Sequence, residues 1–165
     1  MDSVEIQICD FLKSLPPQSI SGGWEWERGK WTKAIKEGLR DIGHRLKYKI
    51  GANGIEGCDD KEWLFDLTWW ETEDPLIKSL PLILESEWSP DPVMDPDFQK
   101  LIIGKATHKV WIFTNKTPED IESDFERYIK QIEIFKGTSI EDRFLLAGLC
   151  WNPREFIIKF YMHQE

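Results

Sequence analysis

The feature that most constrains the fold is the alternation of short apolar runs with amphipathic helical patterns along 165 residues. Apolar residues recur at helical spacing from about Gly29 to Ile42, and again in the segment that begins at Thr117. After a first helix, the predicted order is helix, strand, strand, strand, helix, strand, helix, strand, strand. Such an order predicts a single mixed α/β layer system, a mixed β-sheet flanked by helices with an additional C-terminal helix and β-hairpin.

The predicted elements divide the chain into three parts of one domain, residues 1–165. A short N-terminal helix is expected to end at Pro16-Pro17 and Gly22-Gly23. The other helices are predicted at residues 29–42, 95–106 and 117–135, and the strands at 45–50, 62–70, 79–88, 109–114, 144–151 and 155–162. The three parts are an N-terminal appendage (1–23), a core (29–115), and a C-terminal helix with a hairpin turning at Asn152-Pro153 (117–165).

Composition excludes several classes of protein. With 41% hydrophobic residues, the chain is too apolar for a disordered tail, and its apolar runs are too short for a transmembrane helix. The N-terminus lacks the pattern of a secretory signal, and three cysteines without metal-ligand spacing are expected to be reduced, so we expect a cytoplasmic protein without a membrane partner. A formal net charge of -9 disfavours a uniformly basic nucleic-acid coat protein.

Three carboxylates interrupt or end apolar runs. Asp66 lies within the apolar run 63–70, and Glu85 and Glu87 close the apolar run 80–84. Side chains two apart on a strand share a face, so Glu85 and Glu87 are expected to point the same way. If the two strands are neighbours, Asp66 completes a cluster that needs a cation or protons. Such hard oxygen ligands suit Mg²⁺ or Mn²⁺. The alternative is an ordinary edge strand and a solvent-exposed strand end.

A predicted helix that begins within ten residues of the acidic strand favours the functional interpretation. It carries Gln99 and Lys100. A metal ion polarises a phosphate and lowers the pKa of bound water, while an ammonium group stabilises developing charge. This combination is what the hydrolysis of a phosphodiester bond requires.

The order helix, strand, strand with Asp, strand with acidic-x-acidic, helix, strand resembles the core of the PD-(D/E)xK, or restriction-endonuclease-like, nuclease superfamily over about residues 29–115. The resemblance implies that Asp66 is the first aspartate and Glu85 the acidic residue of the second motif. Glu87 then occupies the position usually held by lysine, which in some members moves to the following helix, where Lys100 lies. Gln99 would be an accessory group. An acidic residue on the first helix is also implied, and Glu37 is the candidate, although a helical wheel places it away from the apolar stripe.

Positive charge is concentrated in residues 28–49, which hold eight basic and two acidic residues. This segment is the candidate surface for phosphate contact, through Lys30, Lys33, Arg40 and Lys47. The alternative is an ordinary solvated helix face.

We therefore expect a nuclease or nuclease-like DNA-processing protein that depends on Mg²⁺ or Mn²⁺ and has DNA as its partner. One site per chain suggests a homodimer for a duplex cutter. The alternative is a catalytically inactive interaction module with a nuclease fold that binds a protein through its acidic surface. A third hypothesis, an acidic inhibitor that mimics DNA, is opposed by the basic segment.

Overall fold

The structure is a computed structural model that describes residues 1–91 and 93–163. The helices are α1 (Ser3–Ser21), α2 (Arg28–Arg45), α3 (Pro96–Ile103) and α4 (Pro118–Ile134). The strands are β1 (Lys49–Ala52), β2 (Leu67–Glu73), β3 (Leu76–Glu87), β4 (His108–Asn115), β5 (Arg143–Trp151) and β6 (Arg154–Met162).

The six strands form one mixed open sheet whose strand order follows the chain, from β1 to β6. β1 is antiparallel to β2, and the two-residue connection Asp74-Pro75 makes β2 and β3 antiparallel as well. β3, β4 and β5 are parallel, with α3 and α4 as the crossover connections, and β6 returns antiparallel to β5. The predicted α/β class, with a C-terminal helix and hairpin, is confirmed.

The chain divides into two compact units, residues 1–81 and 82–165, and β3 begins in the first and ends in the second. That residues 1–165 form one domain stays a prediction. In the first unit α1 packs on α2, where a Cβ atom on Gly38 would come within 1.9 Å of the Phe11 ring. The predicted apolar stripe of α2 is buried through Trp31, Ile35 and Leu39. This helix pair covers the first part of the sheet through α2 and β1.

Element boundaries in the first unit differ from the prediction. α1 continues through Pro16 and Pro17 to the C-cap Gly22, because packing keeps Leu15 and Pro16 buried. α2 continues past Gly43, which has no side chain to obstruct Ile50 and Trp69; a Cβ atom there would be 2.5 Å from Ile50. β1 therefore begins only at Lys49, after a left-handed turn at Lys47 with φ 65°.

The second unit packs α3 and α4 against β4 and β5. Trp111 and Phe113 of β4 contact Phe98 of α3 and Phe125 and Tyr128 of α4, with ring centroids 5.1 to 5.6 Å apart. The predicted stripe of α4 is buried through Ile121, Phe125, Tyr128 and Ile132. The prediction that Phe135 is the last residue of this stripe is wrong, because α4 ends at Ile134 and Phe135 is 38% exposed. α3 is also shorter than predicted, because Gly104 turns to an extended conformation after Ile103.

The three cysteines Cys9, Cys58 and Cys150 are free, and Cys150 is buried in β5 as predicted. Among the described residues, no helix combines the length and the apolar character that crossing a membrane demands.

Candidate functional site

Asp66 belongs to the first unit and lies immediately before β2, so its predicted position within a strand is wrong. The residues before it form a loop in which the Trp63 ring packs on Trp70, which delays the start of the strand. The Asp66 carboxylate lies 3.4 Å from the ammonium of Lys36 on α2, and Glu62 lies 3.4 Å from the same nitrogen. The Lys36 side chain is only 7% exposed, and the two carboxylates compensate for the cost of burying its charge.

Glu85 and Glu87 belong to the second unit, at the carboxyl end of β3. Glu85 is only 3% exposed and pairs in register with Trp111 of β4, so its side chain faces the layer formed by α3 and α4. Glu87 is two residues further along the same face and half-buried, as predicted from strand periodicity. Its Oε1 accepts a 2.6 Å hydrogen bond from the Ser89 amide, which holds the carboxylate at the strand end.

Lys100 reaches Glu85 from α3. Its Nζ lies 2.5 Å from Glu85 Oε1 and 3.3 Å from Asp97 Oδ1. Partial burial disfavours the charged form of Lys100, but the hydrogen bond and charge of Glu85 outweigh that effect and raise the pKa of the ammonium. The side chain is therefore a cation at neutral pH, with its charge directed at the acidic strand end.

Asp95 is an acidic residue of this region that the sequence analysis did not single out as a site residue. It stands at the N-cap of α3. The residue is 2% exposed, and Oδ2 has no hydrogen-bond partner among the described residues. Burial and then the charge of Glu87 raise the pKa of Asp95, and the amides of Asp97 and Phe98 offset this only in part. The dense acidic spacing of residues 95 and 97 after the strand was the available signal.

Two buried donors lie in the same layer. Trp111 Nε1 and Tyr128 Oη belong to fully buried side chains. Burial raises the pKa of Tyr128 to about 12, which the nearby Arg127 and Trp111 counteract and the charge of Asp95 reinforces. Tyr128 is therefore a neutral donor at any physiological pH.

Glu85, Glu87 and Asp95 offer carboxylate oxygens, the atom type that hard divalent cations prefer. Among the described residues of the second unit, no three acidic, histidine or cysteine side chains bring ligand atoms within 4.8 Å of one another.

Gln99 lies one residue before Lys100 but makes a different contact. Its amide nitrogen donates a hydrogen bond to Gln131 Oε1 of α4. The side chain therefore joins α3 to α4. Its accessory role at a phosphate stays a prediction.

The basic segment of α2 is largely paired with acidic groups. Lys30 contacts Glu27 at 2.8 Å, and Lys33 lies 3.9 Å from Glu37. Arg40 contacts Asp41 and the carbonyl of Glu56. These pairs reduce the positive charge that the segment presents to a phosphate. Glu37 is thus part of an exposed ion pair on the surface of α2. Lys47 occupies the turn after α2.

Comparisons with family models, with curated proteins and with solved structures find no match for this chain.

Proposed function

We propose that this chain is a divalent-metal-dependent nuclease, or a nuclease-like DNA-processing protein, of restriction-endonuclease-like architecture. Glu85 and Glu87 are its metal ligands and Lys100 is its cationic group, all in the second unit, and Gln99 keeps the accessory role that the resemblance implies. The observation that carries the proposal is the 2.5 Å contact between Lys100 and Glu85 at the carboxyl end of β3. A lysine from the following helix thus meets the acidic residue of the strand.

The arrangement of elements supports the proposal. The order α2, β1, β2, β3, α3, β4 is the order of the core that the sequence resembles, with acidic residues at the end of β3 and before β2. In open α/β sheets, ligands bind outside the carboxyl ends of the parallel strands. Glu85 and Glu87 lie at that end of β3.

The chemistry follows from the groups at the strand end. A bound Mg²⁺ or Mn²⁺ polarises a phosphate and lowers the pKa of a coordinated water. Glu85 and Glu87 orient and hold the cation through their oxygens. The Lys100 ammonium, whose pKa is raised, stays protonated and stabilises the negative charge that develops on the phosphate oxygens.

DNA is the proposed substrate, and the basic segment its proposed contact through Lys30, Lys33, Arg40 and Lys47. The ion pairs of that segment limit its contribution to DNA affinity, because each paired lysine or arginine must give up its carboxylate partner to contact a phosphate. Binding is expected to weaken steeply with salt. Two copies would be needed to cut both strands of a duplex, since each chain offers one such acidic strand end.

The proposal is tested by incubating the purified chain with single-stranded and double-stranded DNA, with Mg²⁺, with Mn²⁺ and with a chelator. Cleavage is expected only with metal and is expected to disappear in Glu85→Gln. Cleavage that persists in the chelator, or in Glu87→Ala, would contradict the assignment.

A second candidate is a nuclease-fold interaction module without catalysis. It is favoured by the absence, among the described residues of the second unit, of three ligand groups within 4.8 Å of one another. This candidate predicts neither cleavage nor a heat of binding at millimolar Mg²⁺ or Mn²⁺. Calorimetry and the cleavage assay together separate the two functions.

A further inference from the structure

We propose that the outer edge of β6 is a pairing surface for a second copy of this chain. The second copy adds its own β6 in antiparallel orientation, with the two-fold axis at Ile157. This inference goes beyond the proposed function, because strand pairing needs neither a metal ion nor DNA. It also assigns a surface to the two copies that the cutting of a duplex would need.

The two edges of the sheet are β1 and β6, and the chain covers only the first of them with its own backbone. The loop that follows β1 returns along its outer side, where the amides of Asp59 and Asp60 donate to the Ile50 carbonyl at 2.8 and 3.1 Å. The Ala52 amide donates to the Asp60 carbonyl at 3.3 Å. β6 is last in the strand order, and no strand of the described residues pairs with its outer side. Such an edge presents N–H and C=O groups to another strand.

β6 lacks most of the features that protect an edge strand from pairing. It is nine residues long and pairs with β5 along its whole length without a bulge. Pro153 precedes the strand and leaves its interior free of proline. The side chains from Ile157 to Met162 are all half-buried, and only Lys159 among them is charged. Natural edges are usually short, bulged, charged or covered, so this edge is suited to pair with another strand.

The charges of β6 are self-complementary in one register. Glu155, Ile157 and Lys159 share the face towards α4, where Lys159 Nζ lies 2.9 Å from Glu122 Oε2. In an antiparallel pair centred on Ile157, Glu155 of each copy lies directly opposite Lys159 of the other, and opposite charges at such positions stabilise the pair. The ammonium has three donors, so it can contact Glu122 and the incoming carboxylate together. A pair centred on Ile158 would instead place Lys159 opposite Ile157, so the charges select one register.

The end of β6 offers a place for the turn of the second copy. An open groove of about 600 Å³ lies there, lined by Glu133, Phe160, Tyr161, Met162 and His163. In the pair centred on Ile157, Tyr161 lies opposite Pro153, so the turn that precedes β6 in the second copy reaches this groove. The proline ring can pack on the aromatic side chains without adding a buried N–H group. The groove and the strand edge thus form one continuous surface.

The pairing is tested on the full chain without metal or DNA, by sedimentation velocity at about 2 to 200 µM, the range that suits a modest interface. The wild type is expected to form a dimer as concentration rises. Glu155→Lys and Lys159→Glu each place like charges opposite one another and are expected to weaken the dimer by about tenfold or more. Glu155→Lys also makes the net charge of -9 less negative, which by itself favours association.

Glu56→Lys is the matched control, because it makes the same charge change at an exposed loop residue of the first unit. It is expected to change the dimer affinity by less than about threefold. Circular dichroism and the unfolding temperature check that each variant is folded.

Mixing the two variants tests the register. In an equimolar mixture of Glu155→Lys with Lys159→Glu, both cross-strand positions again carry opposite charges, so the mixture is expected to dimerise far better than either variant alone. A wild type that stays monomeric at the highest concentration would overturn the inference and leave the edge to an extended peptide of another protein. A dimer that neither variant weakens, or a mixture no better than its components, would also overturn it.

The outcomes separate this inference from the proposed function. A dimer that depends on Glu155 and Lys159, without DNA cleavage by the wild type, supports the pairing surface and contradicts the nuclease. Metal-dependent cleavage by a wild type that stays monomeric supports the nuclease and contradicts the pairing surface.

Discussion

Each unit of this chain brings a lysine against carboxylates, but the two clusters differ in how their charge is satisfied. In the first unit, the buried Lys36 ammonium lies 3.4 Å from both Glu62 and Asp66, and both carboxylates are partly solvated. In the second unit the lysine is the more exposed partner. Lys100 has a 36% exposed side chain and contacts the buried Glu85.

The difference indicates which cluster is structural and which is suited to a ligand. The first cluster places its cation in the interior and its anions at the surface, where water stabilises them. The second buries Glu85 and Asp95, and Asp95 Oδ2 has no hydrogen-bond partner among the described residues. A cluster with buried carboxylates and a partly exposed lysine is suited to accept a further cation. We therefore interpret the Lys36 cluster as an ion-pair support and the Glu85 cluster as the site.

The largest expected effect is the loss of DNA cleavage on replacement of Lys100, the lysine of the second cluster. Lys100→Met is expected to reduce metal-dependent DNA cleavage by about 10²-fold or more, because it removes a group that stabilises developing charge. The cleavage rate under saturating Mn²⁺ measures this. A Lys100→Met rate close to that of the wild type would remove Lys100 from the site.

The next effect concerns the stability of the first unit. Lys36→Met is expected to lower the free energy of unfolding by roughly 1–3 kcal/mol, because Glu62 and Asp66 lose a charged partner while the packing of the stem is retained. Urea unfolding with matched m-values measures the change. A loss below about 0.5 kcal/mol, the level of an exposed pair, would contradict the supporting role of Lys36.

A third effect is a pH dependence in the second unit without metal. Because the pKa of Asp95 is raised in the folded state, the folded chain binds more protons than the unfolded chain above the unfolded pKa. Stability therefore falls as pH rises from about 4, the unfolded value, through the folded pKa. Asp95→Asn is expected to remove this fall, as measured by urea unfolding at a series of pH values. Parallel profiles for wild type and variant would contradict a raised pKa of the buried Asp95 carboxylate.

The smallest effect is expected on the surface of α2. Lys30 forms an exposed pair with Glu27 on the same helix as Lys36, so Lys30→Met serves as its matched control. The free energy of unfolding should change by less than about 0.5 kcal/mol. A change as large as that of Lys36→Met would show that the method does not separate buried from exposed lysines.

The sequence was sufficient for the class and order of elements. Periodicity located the buried stripe of α2 and most of that of α4, and the turn at Asn152-Pro153 located the hairpin between β5 and β6. Boundaries were less accurate where tertiary contacts decide them. α1 continues through two prolines because its face is packed, and Gly43 lies within α2 because Ile50 and Trp69 approach it closely.

The sequence predicted the candidate site only in part. Strand periodicity correctly indicated that Glu85 and Glu87 share a face, and the resemblance suggested Lys100, which contacts Glu85. Local patterns cannot show that Lys36 lies against Asp66, since the two are thirty residues apart. Nor can they show that Asp95 is buried beside the charge of Glu87. Those properties depend on how distant segments pack.

The central claim is that the buried carboxylates of the second unit bind a divalent cation. Calorimetric titration of Mn²⁺ into the wild type and into Glu85→Gln at neutral pH tests it most directly. We predict a saturable heat with one ion per chain for the wild type and its loss in Glu85→Gln, whose unfolding temperature without metal confirms folding. No heat from the wild type, or the same affinity in the variant, would contradict the claim.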